Sequence, residues 1–257
     1  EIISIDKDRS LTPEIIDTAI WMKSRYGVKY IDAIRMFDVT GKRVPKQLKA
    51  YDETKLEDEP ILSEEQKNAA LDICNSIDNQ LGKSFLIHGV TNSGKTEVYI
   101  RAVKSAIARG KSAIVLVPEI ALSSQIAERF SKRFGKEQVA IMHSKLKTSE
   151  RLAEWMRIKS GEAKIVVGAR TAVFAPASDI GVIIIDEEHE STYKSDHNPK
   201  FETVDVAFRR AKYHNATLVL GSATPSIVSY NRAMDGIYQL IEMKNRIGNS
   251  IMPEVQI

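Results

Sequence analysis

From residue 62 onward the chain alternates short apolar runs with amphipathic stretches of helical period. The apolar runs fall at 84–88, 113–117, 139–142, 164–167, 182–186 and 217–220, and helices are predicted near 64–80, 95–109, 121–134, 149–160 and 203–213. Gly110, Gly135 and Gly161 stand where C-terminal helix caps belong. Strands this apolar need cover on both faces, so the pattern predicts an α/β fold, a parallel sheet with helices on both sides. In such a sheet, ligands bind at the carboxyl ends of the strands.

Before residue 62 the rhythm differs. Residues 11–24 read as a helix, with Ser10 or Thr12 as cap, Pro13 in the first turn, and Ile15, Ile16, Ala19 and Met22 on one face. A second short helix is predicted over 30–36. Residues 39–60 are polar and charged, with Gly41, Pro45 and Pro60, and read as a linker. The expected division is a helical segment at 1–38, a linker at 39–61 and one α/β lobe at 62–257.

Composition narrows the class. With 43% hydrophobic residues the 257-residue chain can build a packed core. No apolar run approaches the roughly 20 residues that cross a membrane, and the N-terminus lacks the pattern of a signal peptide. A single cysteine, Cys74, excludes an intrachain disulfide and a cysteine-based zinc site, and is expected to be a small buried hydrophobe on a helix. A reducing cytoplasm fits. A net charge of +3 excludes a strongly basic DNA-coating protein but permits a local phosphate-binding strip. The first residue is Glu1 and not Met, so the chain reads as a piece of something longer.

Two motifs carry chemistry. Gly89-Val90-Thr91-Asn92-Ser93-Gly94-Lys95-Thr96 fits the phosphate loop, Walker A, between a predicted strand and a predicted helix. The glycines let backbone N–H groups turn inward toward phosphate, and the helix N-terminus adds partial positive charge. Lys95 would bridge the outer phosphates of ATP, and the Thr96 hydroxyl would coordinate Mg²⁺. The apolar run 182–185 ends in Asp186-Glu187-Glu188-His189. Asp186 would hold the Mg²⁺ and Glu187 would orient and deprotonate the attacking water. His189 is either a relay from the nucleotide to the next strand or an ordinary strand-end histidine.

Four further segments extend the series: Leu62 to Gln66, Val117 to Leu122, Gly168 to Ala172 and Gly221 to Ser226. Together with the strings GVTNSGKTEVYI, MHSKLKTSERLAEW, IVVGARTAVFAP and VIIIDEEHESTYK, they resemble superfamily 2 helicases with a DEAH-type strand end, and most closely the PriA family of replication-restart helicases. The resemblance covers roughly residues 62–230. It implies a RecA-like first motor lobe of an ATP-dependent 3′ to 5′ DNA helicase acting in primosome assembly. By the same resemblance Gln66 reads the adenine edge, and Pro118, Glu119, Arg170 and Thr171 track a DNA strand. Ser222 and Thr224 couple nucleotide state to strand contact. An aromatic-rich loop from 191 to 201 offers Tyr193 and Phe201 to unpaired bases, the alternative being that both rings pack onto the lobe. This loop lacks a tryptophan common in the family, and residues 202–205 read Glu-Thr-Val-Asp where His-Ala-Arg-Asp is usual.

The resemblance implies single-stranded and forked DNA, primosome proteins and single-strand-binding proteins as partners. A second lobe with an arginine finger and zinc-binding cysteines is expected beyond residue 257, and residues 11–36 resemble the end of an N-terminal DNA-binding domain. Two other readings compete: another superfamily 2 translocase acting on branched DNA or RNA, and a nucleotide-gated scaffold that loads other proteins.

Overall fold

The computed structural model describes residues 10–39, 59–119 and 125–247. Seven strands form one sheet: β1 (Ser84–Gly89), β2 (Ser112–Leu116), β3 (Val139–Met142), β4 (Ile165–Gly168), β5 (Ile180–Asp186), β6 (Thr217–Ser222) and β7 (Gln239–Met243). Their order is β3-β4-β2-β5-β6-β1-β7, and every pairing is parallel. The helices are α1 (Pro13–Tyr26), α2 (Tyr30–Phe37), α3 (Glu64–Asp78), α4 (Lys95–Ala108), α5 (Gln125–Phe134), α6 (Thr148–Ser160), α7 (Thr203–His214) and α8 (Ile227–Met234). Among the described residues, no helix is long and apolar enough to cross a membrane.

The strands sort their side chains by a period of two. Leu86, Ile114, Val166, Ile183 and Leu218 enter one core, while Phe85, Ile87, Val115, Ile184 and Val219 enter the other. The second core is covered by α3, α4 and α5, through residues such as Ile73, Val103 and Phe130. The first is covered by α7 and, unexpectedly, by α1 and α2. Ile15, Ala19, Met22, Ala33 and Phe37 belong to the same apolar cluster as the sheet. Trp155 Nε1 on α6 donates to the Phe37 carbonyl at 2.8 Å. Helices α1 and α2, from the helical segment expected at 1–38, therefore share an apolar cluster with the sheet, because their apolar faces have the sheet to bury against.

Apart from the helix expected over 121–134, the predicted strands and helices appear with shifts of at most two residues at their ends. The helix expected over 121–134 is described from Gln125; residues 121–124 lie outside the described residues, as do 40–58 of the expected linker and 248–257. Two elements were not anticipated, α8 and β7. Among the described residues β7 is an edge strand paired only to β1, and its partly exposed residues blur the apolar signal.

Candidate nucleotide and nucleic-acid site

The phosphate loop leaves β1 at Gly89 and enters α4 at Lys95. Asn92 (φ 64°) and Gly94 (φ 81°) take left-handed backbone, which curls the loop. At Gly89 a Cβ would come within 2.7 Å of Ser93 Oγ, so the turn has no room for a side chain. Ser93 Oγ is buried without a hydrogen-bond partner among the described residues. Lys95 is 7% exposed; its Nζ donates to the Gly89 carbonyl at 2.9 Å and lies 3.5 Å from Glu187 Oε1. Thr96 is half-buried in the first turn of α4.

Two chain segments brace the loop from outside. Gln66 closes a capping box with Ser63, accepting the Ser63 N–H on Oε1 at 2.8 Å, and donates to the carbonyls of Gly94 (3.2 Å) and Ser93 (3.5 Å). Gln66 was expected to read an adenine edge. Here its amide is fully engaged and buried, holding helix α3 to the loop, because an N3 glutamine satisfies the free N–H of its own helix start first. The exit from β7 is the second brace: Val90 N–H donates to the Met243 carbonyl at 3.1 Å and Ile247 N–H to the Asn92 carbonyl at 2.9 Å.

Opposite the loop, β5 ends at Asp186, next to β6 and one strand away from β1. Asp186 accepts a hydrogen bond on Oδ1 from the Tyr99 hydroxyl at 2.9 Å. Burial and the neighbouring Glu187 charge raise its carboxyl to about 6, against the lowering influence of the Tyr99 hydrogen bond and Lys95. Glu187 itself is turned by a left-handed backbone (φ 47°) toward Lys95. Two carboxylates facing one lysine leave a net negative corner. That donor set, with the Thr96 hydroxyl, suits a divalent cation shared with phosphate oxygens. Among the described residues, no group of three or more metal-ligating acids, histidines or cysteines stands together.

The rest of the acidic strand end divides its work. His189 Nδ1 lies 2.7 Å from Ser222 Oγ and 3.6 Å from Glu187 Oε2, bridging the end of β5 to that of β6. Ser222 Oγ in turn accepts the Thr224 N–H at 3.0 Å, and the Thr224 side chain is exposed. Glu188, which sequence reasoning left without a role, points away from the loop. It accepts hydrogen bonds from Ser226 N–H (2.7 Å), Ser226 Oγ (3.0 Å) and Ser229 Oγ (2.8 Å), pinning the start of α8. Its partners lie about 40 residues away, and no local pattern announces them.

The residues assigned to a DNA strand cluster beside this site. Pro118 is buried at the end of β2, and the neighbouring Glu119 is exposed and accepts a hydrogen bond from Ser144 Oγ. Thr171 is exposed on the 3₁₀ turn Arg170–Phe174. The Arg170 guanidinium donates to the carbonyls of Lys194 (2.7 Å) and Thr192 (3.3 Å), flanking Tyr193. Tyr193 and Phe201, each 3% exposed, do not present ring faces to solvent. The Tyr193 hydroxyl donates to the Asp186 carbonyl at 2.7 Å, and the Phe201 ring meets Phe174 edge-on at 4.9 Å. Stacking on bases, one of the two uses expected of them, has no open face here. The sheet end beneath the loop is apolar, and burial there outweighs exposure of an aromatic ring.

Comparison with known proteins follows the same outline. A family model for DEAD/DEAH box helicases matches residues 65–232. The replication restart protein PriA of Bacillus subtilis is 48% identical over 216 residues, 84% of this chain and 26% of that protein. Its counterpart in Rickettsia conorii is 36% identical over 259 residues, 99% of this chain and 39% of that protein. The chain thus spans about a quarter to two-fifths of the length of these relatives. In fold it is similar to the helicase domain of Pyrococcus furiosus Hef (TM-score 0.51, 18% identity, 70% of this chain and 37% of that one). RecG bound to a three-way DNA junction gives the same score and identity over 92% of this chain and 30% of that one.

Proposed function

The chain belongs to the DEAD/DEAH box helicase family, and we propose that it is the ATP-binding first motor lobe of a 3′ to 5′ DNA helicase of the PriA type, cytoplasmic and acting in replication restart. The observation that supports this most is the meeting of Lys95 and Glu187 at 3.5 Å across the carboxyl ends of the sheet. Lys95 is held where an incoming phosphate can draw it from the Gly89 carbonyl, since a charge-assisted contact is the stronger one. Backbone N–H groups of residues 90–95 cradle the phosphates of ATP. Thr96 and Asp186 would hold Mg²⁺, which when bound would offset the charge of the outer phosphates. Glu187, freed from Lys95, orients water and takes its proton. His189 carries the state of Glu187 to Ser222 and the backbone of Thr224.

Strand contact belongs to the exposed rim formed by Glu119, Thr171 and the backbone around Pro118. Arg170 shapes the loop behind that rim, and single-stranded or forked DNA is the expected substrate. Primosome and single-strand-binding proteins are the expected partners, and zinc is expected only in a second lobe. This lobe alone would hydrolyse almost no ATP, because an arginine supplied from an opposite lobe is worth about 10³ to 10⁵ in rate in related NTPases.

The test is phosphate release with and without single-stranded DNA, by this chain and by the whole protein that carries it, together with unwinding of duplexes bearing a 3′ or a 5′ tail. DNA-stimulated turnover and preference for the 3′ tail in the whole protein, with little turnover here, is the expected result. Full turnover by this chain alone would sink the shared-site reading, and a 5′ preference would sink the polarity.

A further inference from the structure

Tyr99 stands on the second turn of α4, the helix that begins with Lys95, and is 2% exposed. Its hydroxyl donates to Asp186 Oδ1 at 2.9 Å. To get there the ring passes Gly221, the β6 residue paired with Asp186 across the sheet. A Cβ on Gly221 would overlap the Tyr99 hydroxyl and lie 2.9 Å from the ring carbon bearing it. The missing side chain at Gly221 is what admits the phenol. A second phenol holds the same residue by its main chain, since the Tyr193 hydroxyl donates to the Asp186 carbonyl at 2.7 Å.

We propose that Tyr99 is the positioning residue for Asp186, fixing the plane of the carboxylate that completes a divalent-cation site with Thr96 once nucleotide is bound. This rests on the nucleotide-site reading above. The terminal torsion of an aspartate is soft, so a carboxylate at the end of a strand needs an outside partner to hold one orientation. A neutral phenol suits the task better than a cation would. It satisfies one oxygen by a directed bond and adds no positive charge to compete with a metal. Because Tyr99 rides on the helix that starts at Lys95, a shift of the phosphate loop is carried to the carboxylate by one rigid element. Tyr193 alone cannot replace it, because a clamp on the carbonyl leaves the side-chain torsion free.

The test is Tyr99→Phe in this chain, which removes one buried hydroxyl and keeps the ring. Affinity for a fluorescent ATP analogue is measured in EDTA and across a Mg²⁺ titration, for wild type, Tyr99→Phe, Asp186→Asn and the double variant. The expected result is unchanged affinity in EDTA and a Mg²⁺ midpoint raised about tenfold in Tyr99→Phe, the lower end of what loss of an outer-shell partner does to a metal site. In the double variant the hydroxyl's removal should add nothing to the Asp186→Asn effect, as for two residues acting through one contact. An unchanged Mg²⁺ midpoint, an equal loss with and without Mg²⁺, or additive effects in the double variant would each overturn the proposal. Wild type that binds no analogue even with Mg²⁺ would instead overturn the nucleotide-site reading on which it rests.

Discussion

Glu14 on α1 and Arg210 on α7 form a two-pronged ion pair inside the protein, with Nε to Oε1 at 2.9 Å and NH2 to Oε2 at 3.0 Å. Arg210 is fully buried, and its remaining donors meet the carbonyls of Val173 (2.6 Å) and Ala175 (2.9 Å) in the turn that follows Arg170. One side chain thereby ties the N-terminal helix to the segment assigned to strand contact. Glu14→Ala leaves a buried guanidinium without its counter-charge, which destabilises by about 3 to 5 kcal/mol. Urea unfolding followed by circular dichroism checks this. A midpoint equal to wild type would mean that α1 contributes nothing to the lobe's stability.

The same pair sets an acid limit. Burial pushes the Glu14 carboxyl up, but the charge and hydrogen bonds of Arg210, with His214 beside it, outweigh burial and hold it at about 2, against 4.5 in a free chain. The folded state therefore releases this proton more readily than the unfolded state. The stabilisation is complete above about pH 4.5 and is lost as pH falls toward 2; at neutral pH it is worth about 3 kcal/mol. Stability measured from pH 7 to pH 3 should fall in wild type and fall less steeply in Glu14→Gln. Parallel curves would remove Glu14 from the acid response.

In the whole protein, Glu187→Gln should retain ATP binding and lose turnover by about 10² to 10⁴, because the amide keeps the shape near Lys95 but cannot take a proton. Equilibrium binding and steady-state hydrolysis, measured side by side, separate the two effects. Normal turnover would remove Glu187 from the chemistry.

Glu188→Ala removes the acceptor shared by Ser226 and Ser229 at the start of α8. Loss of the charged acceptor should destabilise by about 2 to 3 kcal/mol. Nucleotide affinity should change little, since Glu188 faces away from Lys95. Thermal unfolding and ATP binding together check this. A large loss of affinity with an unchanged melting temperature would place Glu188 in the nucleotide site instead.

The parts of this protein legible in its sequence are those whose causes are local. The six apolar runs declare buried strands because each lies within a few residues of its own chain. The phosphate loop at 89–96 is a turn between neighbouring elements, so its residue types and spacing suffice. Asp186 and Glu187 stand out because a buried strand rarely ends in adjacent carboxylates without a use for them. The tertiary structure decided what depends on distant partners. Tyr99 reaches Asp186 across 87 positions, Glu188 reaches Ser226 across 38 and Glu14 reaches Arg210 across 196. Gln66 turns inward, and Tyr193 and Phe201 are buried, because of surfaces that exist only once the sheet has assembled. Periodicity reports which face of an element is apolar; it carries no information about which other surface will cover that face. That choice is made by packing, and it sets the apolar faces of α1 and α2 against the sheet.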